Sequence, residues 1–143
     1  MRSRSLLFLV LPMLLGTAAA VAQGAPDDPL HDHLFPPELV MQNQQAIGLG
    51  DDQRTALKAD LRQAQQRFTE LQWKLDDEME RFVALVKAPQ VDEPQALAQL
   101  DKVLAAEREV KRTQISLLIR IKDHLRPDQQ ARLQEIRRKA GGK

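Results

Sequence analysis

The chain has 143 residues, no cysteine and no tyrosine, with 21 Lys and Arg against 20 Asp and Glu. That length suits one domain; the lack of cysteine excludes a disulfide framework, thiolate metal sites and a cysteine nucleophile. The balanced charge lacks the basic excess of a nucleic-acid binder, and 29% charged residues with only 3% aromatics is a composition suited to long amphipathic helices.

Residues 1–22 read as a secretory signal peptide. Arg2 and Arg4 precede an apolar run from Leu6 to Leu15, and Ala20-Val21-Ala22 supplies an A-x-A cleavage signature. The run is short for a membrane span and no second one follows, so no membrane insertion is expected after cleavage. No cysteine stands at the cleavage site to carry a lipid anchor. The expected location is the periplasm. Residues 23–36 are rich in Pro, Asp and Gly without periodicity and read as a flexible arm. Pro36-Pro37 then suits a helix start, and a short helix is expected from Pro37 to Ile47, with Leu39, Val40, Ala46 and Ile47 on one side. Gly48 and Gly50 end it in a tight turn around Leu49.

Leu57, Leu61, Ala64, Phe68, Leu71, Leu75, Met79, Phe82 and Leu85 recur at spacings of three and four. They predict one long helix over Asp51–Ala88, about 57 Å at 1.5 Å per residue. The loop Ala88–Pro94 breaks it, and a second long helix is predicted over Glu93–His124. Its seam is Leu100, Val103, Ala106, Val110, Leu117, Ile121 and Leu125. Two such helices joined by a short loop form an antiparallel hairpin. A last short helix starts at Leu125-Arg126-Pro127 and runs to about Lys139, with Leu133 and Ile136 inward. The predicted architecture is all-α, with one helical domain over residues 37–140.

A hairpin this thin leaves each helix one neighbour and buries little surface. Leu117 and Ile121 continue the seam, but Ile115, Leu118 and Ile119 point elsewhere. They need cover from the short flanking helices, from a second copy of the chain, or from both. Trp73 also lies off the seam, one turn from Thr69, Glu70, Asp76 and Asp77 and two from Glu80, which marks a contact surface.

Three helix starts place a glutamine three residues after a candidate cap: Gly50-x-x-Gln53, Asp92-x-x-Gln95 and Arg126-x-x-Gln129. In a capping box that side chain reaches back to the cap's backbone N–H. Two of them follow a leucine, giving Leu49-Gly50-Asp51-Asp52-Gln53 and Leu125-Arg126-Pro127-Asp128-Gln129. This pair resembles the LTxxQ motifs of the Spy/CpxP family of small periplasmic proteins, which includes zinc-resistance-associated and heavy-metal-sensor members. The resemblance spans nearly the whole mature chain. The departure is the threonine, replaced by Gly50 and by Arg126. Glycine keeps most of a cap's value, whereas arginine has no acceptor and the second motif must lean on Pro127, Asp128 and Gln129. The resemblance implies a cradle-shaped homodimer acting as an ATP-independent chaperone for unfolded proteins, as a modulator of a membrane sensor or anti-sigma protein in envelope stress, or as a metal binder.

No cofactor is required. The candidate metal ligands are His31, His33 and His124, assisted by Met41 and Asp32, and neutral imidazole suits zinc, nickel, cobalt or copper. Two histidines on an arm fall short of a closed four-ligand site, and His124 is also explained as a cation at a helix C-terminus. The mature chain's one serine, Ser116, sits on an apolar helical face. No Gly-rich loop cradles phosphate. The chain is expected not to be an enzyme.

Overall fold

The computed structural model describes residues 29–30 and 32–141. Residues 1–22, expected to be a signal peptide, and His31 lie outside them. The described residues form four helices: α1 (Pro37–Gln42), α2 (Asp51–Val86), α3 (Glu93–His124) and α4 (Pro127–Gly141). The long helices α2 and α3 pack antiparallel. At 36 residues, α2 extends about 54 Å.

The first helix is shorter than Pro37–Ile47. It stops at Gln42 because the Asn43 side chain donates to the Leu39 carbonyl at 2.8 Å, taking an acceptor that the helix would use. The chain then turns through Ile47, whose N–H meets the Asn43 carbonyl at 3.0 Å, and Leu49, whose N–H meets that of Gln44 at 2.8 Å. Gly48 adopts φ +63°, a left-handed conformation that glycine takes without penalty. Gly50 does not need its glycine for that reason, since its φ is −71°.

The core is asymmetric. Phe35, Val40, Ile47, Leu49, Leu57, Ile121, Leu125 and Leu133 form one buried cluster, with Leu39, Leu117 and Ile136 against it. All belong to the end where α2 begins, α3 ends, and both short helices meet them. Beyond that end the hairpin stands alone. Its seam continues through Ala64, Leu71, Ala96, Val103 and Ala106, all buried, while Leu75, Phe82 and Leu85 are half-buried and Met79 is exposed. Small alanines let the two backbones approach, and Gln99 fixes their register. Its amide donates to the Glu78 carbonyl at 2.9 Å and the Glu78 carboxylate at 2.7 Å.

The aperiodic segment before α1 ends in an anchor. Phe35 is wholly buried, Arg137 lies 5.3 Å over its ring, and the same guanidinium donates to the Leu34 carbonyl at 2.7 Å. Burial holds the Arg137 guanidinium below its usual pKa range, opposed by Asp32.

Candidate functional site

The two Leu-x-x-x-Gln motifs meet. Gln53, in the first turn of α2, accepts from its own cap, Gly50 N–H, at 3.0 Å. Gln129, in the first turn of α4, does the same with Arg126 N–H at 2.9 Å. Each amide nitrogen then reaches across to the other motif. Gln53 Nε2 donates to Gln129 Oε1 at 2.8 Å and to the His124 carbonyl at 2.6 Å. Gln129 Nε2 donates to Gln53 Oε1 at 3.1 Å and to the Gly48 carbonyl at 3.0 Å.

The arrangement is reciprocal. Each side chain caps one helix start, pairs with its counterpart, and ties down the carbonyl two residues before the other cap. Every amide hydrogen and both acceptor sites of each oxygen are used, which is all that a glutamine offers. The orientation is also fixed, because backbone N–H groups only donate and carbonyls only accept. Gln129 is 1% exposed, so a missing partner there would be costly. Only half of a capping box forms at Gly50, which has no side chain to answer Gln53. At Arg126 the guanidinium grips Asp128 through contacts of 3.1 and 3.2 Å, which lowers the Asp128 pKa. The motif leucines, Leu49 and Leu125, both enter the core, and Pro127 opens α4.

Sequence reasoning anticipated the two caps but not that they interlock, nor the help of Gln130. Its amide donates to the carbonyls of Lys122 and Leu125 at 3.2 and 2.9 Å, serving the end of α3. The available signal was the glutamine richness of the motif ends.

Of the candidate metal ligands, His33 and His124 lie among the described residues and His31 does not. His124 Nε2 lies 2.8 Å from the Asp60 carboxylate, which also faces Arg120 at 3.6 Å. His33 is exposed, and its N–H bonds the Leu30 carbonyl at 3.0 Å. Among the described residues no three His, Asp or Glu side chains converge in a metal-binding group. Between α2 and α3, next to Asp60, runs an open groove of about 460 Å³. Asp60, Gln63, Arg67, Arg112, Ser116 and Arg120 line it, so Ser116 faces a polar groove.

The apolar residues that were left over remain outside the core cluster. Ile115 and Leu118 are half-buried and Ile119 is 47% exposed. Leu97 and Leu104, at 50% each, lie on the same side of α3. Trp73 is 71% exposed on α2.

The described residues thus form four helices built on a long hairpin, closed by two interlocked Leu-x-x-x-Gln motifs. The heavy-metal resistance family model covers residues 6–140. The chain belongs to the heavy-metal resistance family. This is the family of Spy/CpxP-like, zinc-resistance-associated proteins. No curated protein and no solved structure gives a significant match. Among the described residues no helix is long and apolar enough to cross a membrane.

Proposed function

We propose that this family member is a non-catalytic periplasmic protein that serves heavy-metal resistance by holding polypeptide on its helical faces, as a homodimer. The bound polypeptide is a partly unfolded client or the exposed part of a membrane sensor or anti-sigma protein. The observation that carries this reading is the stretch of α3 bearing Leu97 and Leu104, each half exposed, next to Arg108 and Lys111; Ile115, Leu118 and Ile119, further along the same side, are left for the contact between copies. Apolar groups among charges suit weak, reversible capture, in which charge steers the encounter and apolar contact holds it. The test is suppression of aggregation of a chemically denatured client by the metal-free protein. Leu104→Lys should weaken it; unimpaired suppression by that variant would overturn the assignment of the face.

The family description favours a second reading, direct capture of zinc, nickel, cobalt or copper by His31 and His33 with His124. Titration calorimetry with each metal decides it. Micromolar binding lost in a His31→Ala/His33→Ala variant supports capture, and binding indifferent to those changes removes these residues from it.

A further inference from the structure

We propose that the outer face of α2 around Trp73 is a docking surface for a cationic, Lys/Arg-rich polypeptide segment. The proposal rests on the reading that the helical faces hold polypeptide, and it assigns one of them a partner chemistry.

Trp73 follows the buried Leu71 by two positions, about 200° around the helix, so its indole points away from α3. It is the most exposed of the large apolar side chains. Asp77 and Glu80 follow at plus four and plus seven, on the same face, and Glu70 and Asp76 flank it one turn away. All four carboxylates are exposed. Residues 70–80 hold five acidic side chains, Glu70, Asp76, Asp77, Glu78 and Glu80, against one basic residue, Lys74, in a chain of nearly balanced charge.

The carboxylates differ in what they already bind. Glu78 turns inward to Gln99 and Arg81, Glu70 pairs with Arg67 at 3.2 Å, and Asp76 accepts from Gln72 at 2.8 Å. Asp77 and Glu80 have no side-chain hydrogen bond or ion pair among the described residues. An open indole face beside two unengaged carboxylates complements a guanidinium or ammonium group. The ring attracts the cation through its quadrupole, and the carboxylates receive its N–H donors. A partner rich in acidic or purely apolar residues would forgo the second contact or be repelled.

The chain has a single tryptophan, so intrinsic fluorescence reads this face alone. The full mature protein is titrated with a short, unstructured Arg/Gly/Ser peptide and with its Glu/Gly/Ser counterpart. The expected result is a saturable change in emission with the basic peptide only, weakening as salt rises. Asp77→Lys/Glu80→Lys should weaken that response by roughly tenfold or more while leaving the far-ultraviolet helical signal unchanged. Three results overturn the proposal: no response at millimolar peptide, equal response to both peptides, or a charge-reversed variant that responds like the native protein. An emission that instead follows the concentration of the protein itself, and is abolished by the charge reversal, would assign the face to a second copy and overturn it too. If this face fails while client aggregation is still suppressed, polypeptide holding stands and only the cationic partner falls.

Discussion

At the scale of single residues, the glutamine pair explains why this motif ends in Gln and not in Glu. Gln129→Glu removes two donors and places a carboxylate against Gln53 Oε1 and the Gly48 carbonyl. Destabilisation of about 1–3 kcal/mol is expected, measured by urea unfolding. The deficit should shrink in acid, where the introduced carboxyl is neutral and regains one donor. The two glycines nearby predict opposite signs. A Cβ at Gly50 meets only Gln53 Oε1, at 3.5 Å, and φ is already negative, so Gly50→Thr should raise stability by a few tenths of a kcal/mol. Gly48→Ala has open space but a φ of +63° and should cost about 1–2 kcal/mol. Sequence alone placed both in a turn and could not tell which one carried the left-handed backbone. Nor did it show that Arg126 has work of its own: its grip on Asp128 offsets what threonine would add there, so Arg126→Thr should leave the melting temperature nearly unchanged.

At the scale of elements, the long helices were legible because their apolar spacing is unbroken over many turns. Their boundaries fell within two residues, which is ordinary fraying. The first helix was overextended because a side chain–backbone bond at Asn43 competes locally, and spacing does not report it. Phe35 was invisible for a different reason: it lies outside any repeat, and its burial depends on distant elements that gather into one cluster around it. Phe35→Ala should therefore cost about 3 kcal/mol or more, whereas Arg137→Ala should cost less, since its guanidinium is only partly withdrawn from water. Both are measured by thermal unfolding. The hairpin also carries an acid-sensitive pin. Gln99 holds the Glu78 carboxyl below the usual carboxylate range, aided by Arg81 and Lys102 and opposed by burial. A depressed folded pKa means stability that is fully present above the unfolded value and lost as pH falls through the folded one. Gln99→Leu should flatten the acid side of the stability curve as pH falls through and below the ordinary carboxylate range, read from urea midpoints.

At the scale of the whole molecule, the core sits at one end and the rest is a two-helix blade. The Spy/CpxP resemblance implies a homodimer, and Ile115, Leu118 and Ile119 are the residues that would form it. Their shared need for cover was readable from the sequence, because three apolar side chains off a seam have nowhere to go in a thin hairpin. The structure leaves them outside the core cluster. If they meet a second copy, Leu118→Lys should yield a folded monomer by sedimentation equilibrium. An unfolded chain would place Leu118 in the protomer's own packing, and an intact native dimer would locate the interface elsewhere. Histidines can be counted in a sequence, but convergence depends on where the chain carries them: His124 is carried to Asp60, and His31 lies outside the described residues.

The interlocked glutamines also set an order of assembly. Gln53 and Gln129 are 76 positions apart, whereas the Gln99–Glu78 contact near the hairpin's turn spans 21. Closing the longer loop in a disordered chain costs about 1 kcal/mol more, so pairing of α2 with α3 should nucleate at the turn and zip towards the core. By the time the first and last thirds of the chain meet, the zipped helices have already brought them close. The clasp is then the last contact made and the first released. A chain arrested before that step would present an open-ended hairpin, its Leu57 and Ile121 still bare.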